Sequence, residues 1–187
     1  MQLDIVQAES DSHRQEIRAL FEEYLSSMAP LFMQEFGISL DVSPYLERSM
    51  SELHKFMPPH GCLLLAYADA QLAGCACLRR LSDEIGELKR MFVRPQHRNQ
   101  SIGRHLVAAI IAQAQAAGYA RLRLDSAGFL LAAHHLYASS GFTPIAPYAG
   151  SECPEELRPY FRFMELQLGA PEGGRPPEIA EPDHPAR

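Results

Sequence analysis

The chain has 187 residues, 47% of them apolar, and a formal net charge of −6 at pH 7. That length supports a single well-buried core, and the acidic balance argues against nucleic acid as a default partner. No apolar run approaches the ~18 residues of a membrane span, and Met1–Val6 lacks the basic-then-apolar order of a secretory leader. Cys62, Cys75, Cys77 and Cys153 show no Cys-x-x-Cys spacing. They are expected as buried free thiols in a reducing, cytoplasmic setting, with no metal site.

Leu3 to Gln7 reads as an edge strand, followed by a helix carrying Ile17, Leu20, Phe21, Tyr24 and Leu25 at helical spacing. Pro30, Gly37 and Pro44 punctuate the stretch from Met28 to Pro44, which reads as an irregular or partly helical excursion. A helix from Pro44 to about Phe56 comes next, ended by Pro58 and Pro59. Cys62–Ala68 and Leu72–Leu81 read as strands joined by a tight turn at Asp69-Ala70, and Glu87–Val93 as the next strand. A helix from Ser101 to Ala117 ends at Gly118, and Arg121–Asp125 is a short strand. A helix from about Phe129 to Ser139 ends at Gly141, and Phe142–Ile145 with Tyr160–Leu168 complete the sheet. One parallel strand–helix–strand unit among hairpin-like strands predicts an α+β fold with a mixed, mostly antiparallel sheet of about seven strands flanked by helices. Residues 1–168 form the expected domain. Residues 169–187, rich in Pro and Gly, are expected as a disordered tail.

The strand ending Met91-Phe92-Val93 runs through Arg94-Pro95 into the loop Arg98-Asn99-Gln100-Ser101-Ile102-Gly103-Arg104, where a helix opens. Such a junction points unpaired N–H groups and the positive end of a helix dipole into one place, which suits phosphate. Arg98 and Arg104 can neutralise a diphosphate, and the small Ser101 and Gly103 allow close approach of the ligand. Neither Gly-x-x-x-x-Gly-Lys-Ser/Thr nor a strand-linked Gly-x-Gly-x-x-Gly is present. Arg98-x-x-Ser101-x-Gly103 after Val93-Arg94-Pro95 resembles instead the coenzyme A loop of the GNAT superfamily of acetyl-CoA-dependent N-acetyltransferases. Ser101 stands where that family usually has its first glycine, and Asn99 replaces another frequent glycine.

Two more motifs follow the same family order. Leu136-Tyr137-x-x-x-Gly141-Phe142 matches the family's Leu/Phe-Tyr-x-x-x-Gly-Phe, and Glu87 lies four residues before Met91. The resemblance implies acetyl-CoA as acetyl donor, bound by Met91, Phe92 and Val93 and by the loop from Arg98 to Arg104. It also implies Glu87 as base and Tyr137 as acid toward the departing thiolate, with the Met91 N–H holding the oxyanion and Val93 binding the pantetheine arm. Each position has a structural reading beside this one: an ion pair from Glu87 to Lys89 or Arg90, and core packing for Tyr137. Strict alternation would put Glu87, Lys89, Met91 and Val93 on one face of their strand.

Leu130 occupies a position where many family members carry a cofactor-holding Asn. His134 and His135, adjacent on a helix, do not face a common metal. Asp125–Gly128 reads as a helix-capping turn. The expected acceptor is a primary amine, small molecule or amino acid rather than protein, walled by Met28–Pro44 and Ala146–Pro159. Glu35, Asp41, Glu152, Glu155 and Glu156 are candidates to attract its ammonium. The alternative from another class is a non-catalytic acyl-CoA-binding regulatory module; no oligomeric state follows from the sequence.

Overall fold

Alternating apolar positions assemble seven strands into one sheet of order β1-β2-β3-β4-β5-β7-β6. The computed structural model describes residues 1–9 and 11–169. The strands are β1 (Leu3–Gln7), β2 (Cys62–Ala68), β3 (Gln71–Arg80), β4 (Ile85–Val93), β5 (Arg121–Ala127), β6 (Thr143–Ile145) and β7 (Phe161–Gln167). All neighbours pair antiparallel except β4 and β5, which are parallel and joined through a helix, α3 (Ile102–Ala116). The mixed, mostly antiparallel α+β architecture is therefore the one the sequence predicts. Apart from Gly169, the tail expectation falls outside the described residues.

The β2–β3 hairpin turns at Asp69 and Ala70, which both hold positive φ (47° and 63°), the backbone a tight two-residue hairpin requires. On one face of the sheet Leu64, Leu78, Leu88 and Leu122 pack beneath Leu106, Val107 and Ile110 of α3. On the other, Leu63, Leu65, Cys75, Cys77 and Phe92 meet Ile17, Leu20 and Phe21 of α1 (Arg14–Phe36) and Leu46 and Met50 of α2 (Val42–Ser51). The four cysteines are buried and unpaired. No helix is long and apolar enough to cross a membrane among the described residues.

The main departure from expectation is α1, which runs unbroken through Pro30 to Phe36. Pro30 removes one backbone donor, but Met28 and Phe32 on either side are buried against Ala127, Phe129 and Phe161, so packing retains the helix. The helix stops at Gly37, whose φ of 68° lets its N–H cap the carbonyl of Met33. Asp41 then caps α2, its side chain accepting from the Ser43 N–H at 3.2 Å. Asp125, Ser126 and Ala127 are not a capping turn but the last residues of β5, paired to β7. The helix α4 (Leu131–Ser139) begins without a side-chain cap.

Candidate active site

β4 and β5 are paired at Ile85, Gly86 and Glu87, opposite Arg121, Leu122 and Arg123, and then part. From Leu124 onward β5 is held by β7, so Leu88 to Val93 present a strand edge toward open space. The resulting cleft of about 1030 Å³ is lined by β4 from Leu88 to Val93, the end of β5, the start of α3, α4, and α1 with α2 above. Unpaired N–H and C=O groups along such an edge need partners. An extended amide-bearing chain supplies them by lying alongside as a further strand.

A bulge sets what each residue of β4 faces. Cys75 pairs with Phe92 and Cys77 with Lys89, so Ala76 of β3 stands opposite both Arg90 and Met91. Arg90 takes φ +50°, and the Cys75 thiol donates to its carbonyl at 3.3 Å. The extra residue reverses the alternation. Leu88, Met91 and Val93 pack on the α3 face, while Phe92 lies in the cluster with α1 and α2. This corrects the single-face expectation: Glu87 and Lys89 project opposite to Met91 and Val93.

Glu87 is fully buried and does not line the cleft. Its partner is not Lys89 or Arg90 but Arg79, directly across on β3, which donates Nε to Glu87 Oε2. The Tyr148 hydroxyl donates to Oε1 at 2.7 Å, and Lys89 Nζ stays at 4.0 Å. A carboxylate committed to a guanidinium and a phenol and set behind the cleft wall is poorly placed to accept a substrate proton in the role the resemblance implies. Burial and the neighbouring Glu87 raise the Tyr148 pKa far above its ordinary value, keeping the phenol a donor.

A network links this pair to the cleft wall. Lys89 Nζ lies 3.0 and 3.1 Å from the Asp125 carboxylate oxygens, and Asp125 also accepts from Ser151 Oγ at 2.8 Å. Burial works against the Lys89 charge, but Asp125, Glu87 and Glu152 outweigh it and raise its pKa. Arg79 reaches Glu152 at 3.2 Å and the Gly150 carbonyl at 2.8 Å, fixing the β6–β7 loop over the site. Of the acidic candidates for drawing in an ammonium, Glu152 reaches the cleft. Glu35, Asp41, Glu155 and Glu156 are exposed and do not line it.

At the other end, a single helical turn at Pro95–His97 leads into the predicted loop. Asn99 and Ser101 hold φ of 60° and 63°, the left-handed backbone that glycine adopts most easily. The loop thus has the conformation of a glycine-rich turn without its glycines. Arg98, Asn99, Ser101, Ile102, Gly103 and Arg104 line the cleft, whereas Gln100 does not. Arg98 folds back, its Nε donating to the Val93 carbonyl at 3.1 Å, so that carbonyl is already engaged. A Cβ on Gly103 would lie 3.0 Å from Met91 Cε and 3.2 Å from Leu136 Cδ2, so this glycine lets α3 sit close against β4 and α4.

Tyr137 lies on α4 between the two ends, 6% exposed and lining the cleft, its ring 5.9 Å from that of Phe142. Burial raises its pKa well above the ordinary phenol value. Tyr24 of α1 also lines the cleft, and burial raises its pKa too. The sequence showed Tyr24 as one apolar-face residue among several, with no signal marking it as part of a site. Leu130, at the position of the missing Asn, joins the apolar wall with Phe129 and Phe161. No group of three or more His, Cys, Asp or Glu residues able to hold a metal occurs among the described residues.

Residues 18–142 match the model of the acetyltransferase (GNAT) family. An uncharacterised N-acetyltransferase of Schizosaccharomyces pombe is 33% identical over 139 residues, covering 73% of this chain and 82% of its own. The uncharacterised N-acetyltransferase YedL of Escherichia coli is 30% identical over 155 residues, covering 81% and 87%. Among solved structures, a GNAT-family acetyltransferase of Staphylococcus aureus superposes with a TM-score of 0.68 at 23% identity, over 89% of this chain and 99% of that one. The PaiA N-acetyltransferase of Thermoplasma acidophilum, solved with coenzyme A, gives 0.67 at 17% identity, over 89% and 99%. The chain belongs to the GNAT acetyltransferase family and is an acyltransferase.

Proposed function

We propose that the protein moves the acetyl group of acetyl-CoA to the primary amine of a small molecule by direct attack. The parting of β4 and β5 carries this reading, because it joins in one cleft a free strand edge, a phosphate-ready loop and a buried phenol. The N–H groups around Asn99, Ser101 and the first turn of α3, with Arg104 alongside, bind the diphosphate. The exposed edge of β4 aligns the pantetheine amides as an added strand.

The Met91 N–H, at the bulge, donates to the thioester oxygen as negative charge develops there. Tyr137 gives its proton to the departing thiolate and recovers one from solvent; its raised pKa keeps the proton in place until then. With Glu87 held by Arg79 and Tyr148, the amine proton leaves through water in the cleft to bulk solvent. The acceptor end is walled by α1, α2 and the loop that Arg79 holds, and this walled end of the cleft suits a small acceptor.

Release of free thiol from acetyl-CoA against a panel of amines tests the assignment. Amine-dependent release that falls in Tyr137→Phe supports it, and thiol release indifferent to every amine refutes it.

A further inference from the structure

Arg90 has no role in the acetyl-transfer steps above, yet its setting is unusual in three respects. It is a non-glycine residue held at φ +50°, a backbone disfavoured for any side chain with a Cβ. Its Nη2 donates to Ser49 Oγ at 3.0 Å, while its buried Nε finds no acceptor among the described residues. Its side chain is 21% exposed and lines the cleft where α2 brings Arg48 and Ser49 to the rim.

The charges around it leave hydrogen-bond donors on it unfilled. Asp125 is taken by Lys89 and Ser151, and Arg79 holds Oε1 of Glu152 at 3.2 Å. Oε2 of Glu152 stands 3.7 Å from Arg90 Nη2, an ion pair too long to be a hydrogen bond. At the acceptor end Arg48, Lys89 and Arg90 line the cleft with Asp125 and Glu152; Arg48 is paired with Glu52 at 3.6 Å and Lys89 with Asp125, so Arg90 is the cation there with donors to spare. Between this rim and the loop the wall is apolar, formed by Met28, Leu31, Phe32 and Phe129.

We propose that the acceptor amine carries a carboxylate and an apolar body, and that Arg90, supported by Arg48, binds that carboxylate. The inference rests on the acetyl-transfer reading and names its substrate class. A guanidinium with unfilled donors matches a carboxylate in geometry as well as charge. Arg90 also directly precedes Met91, so the anion grip and the N–H that receives the thioester oxygen are adjacent in the chain. A carboxylate held at Arg90 keeps its amine beside the carbonyl to be attacked, and a strained backbone that aims one guanidinium at that spot has a use.

The test compares leucine, methionine and phenylalanine, each with its amide and its decarboxylated amine, by thiol release from acetyl-CoA. The best amino acid should exceed both neutralised forms by about 30-fold or more in kcat/KM. Arg90→Gln should collapse that preference to within about threefold through the acceptor KM, leaving the KM for acetyl-CoA unchanged. Arg90→Asn, whose side chain tolerates the left-handed backbone, repeats the test should the glutamine variant fold poorly. Equal turnover of acid, amide and amine, or an equal loss on all three in the variants, overturns the proposal. If no amine is acetylated, the transfer reading fails by itself. The anion site is then read by calorimetry of N-acetyl-leucine, N-acetyl-methionine and N-acetyl-phenylalanine on the CoA-loaded protein. Heat lost in Arg90→Gln sustains the site, and no heat from any of the three removes it.

Discussion

Arg79 and Glu87 face each other across β3 and β4 as a buried ion pair, closed from the far side by the Tyr148 hydroxyl at 2.7 Å. The pair reaches the cleft through Glu152, and Arg79 holds that residue and the Gly150 carbonyl with its other nitrogens. Its work is to fix the β6–β7 loop over the acceptor end.

Glu87→Gln should therefore behave as a structural lesion. Removing one partner of a buried pair costs about 3–5 kcal/mol, so the melting temperature should fall clearly. Among the molecules that remain folded, kcat/KM against pH should keep the parent's shape. Thermal denaturation and a pH–rate profile measure both. An unchanged melting temperature with rescue at high pH would restore Glu87 as the base.

Tyr137→Phe keeps the ring that packs on Phe142 and removes the proton. Turnover should drop ~10²-fold or more, with affinity for acetyl-CoA unchanged in calorimetry. Because burial raises the pKa of this tyrosine and the protonated form is the active one, its contribution is intact below the ordinary phenol value of 10.0 and persists beyond it. The parent should show no alkaline loss of kcat from this group up to about pH 10. A limb falling near pH 9 would argue against Tyr137 as the acid.

Ser101→Gly should stabilise the protein. Serine at φ +63° is strained by about 1–2 kcal/mol, partly offset by the greater freedom of glycine in the unfolded chain. A net gain of about 0.5–1 kcal/mol by chemical denaturation is expected, with acetyl-CoA affinity retained. Gly103→Val should do the opposite to binding. Its branched side chain would press on Met91 and Leu136 and displace the strand edge from the loop. Titration calorimetry showing parental affinity in that variant would disprove the loop assignment.

His134 on α4 is 7% exposed, and both ring nitrogens lack a hydrogen-bond partner among the described residues. Burial, then Arg162, lowers its pKa from the ordinary 6.5. As pH falls through 6.5 the unfolded chain takes a proton that the folded chain resists, so stability declines until the lower folded value is passed. His134→Leu removes that proton uptake. The melting temperature of the variant should fall less steeply than the parent's between pH 7 and 5; parallel slopes would show that His134 does not titrate in that window.

Much of this was legible in the chain. Strand boundaries such as Cys62–Ala68, and helix ends at Gly118 and Gly141, follow from local rules that tertiary packing did not overturn. The junction from Arg98 to Gly103 was readable as a strand feeding a helix, a backbone pattern that local residues set. The residues at the acceptor end were not. Lys89, Arg90, Asp125 and Tyr24 come from three separate elements, and Glu152, one acidic candidate among five in the sequence, from a loop; no spacing in sequence marks their meeting. Pro30 misled because a proline inside a helix is normally a stop, and the burial of Phe32 and Met28 that overrules it is visible in three dimensions alone.

The bulge also governs which mutations β4 can bear. Deleting Arg90 would remove the extra residue and leave Met91 and Val93 facing α3, whereas deleting Phe92, outside the bulge, would turn Val93 toward α1 and α2. The Phe92 deletion would also draw the loop from Arg98 to Arg104 back by about 3.3 Å, the rise of one strand residue. β4 is in this sense a spacer counted in whole residues: outside the bulge it can vary in composition, whereas its length sets where the loop from Arg98 to Arg104 stands relative to the α3 face.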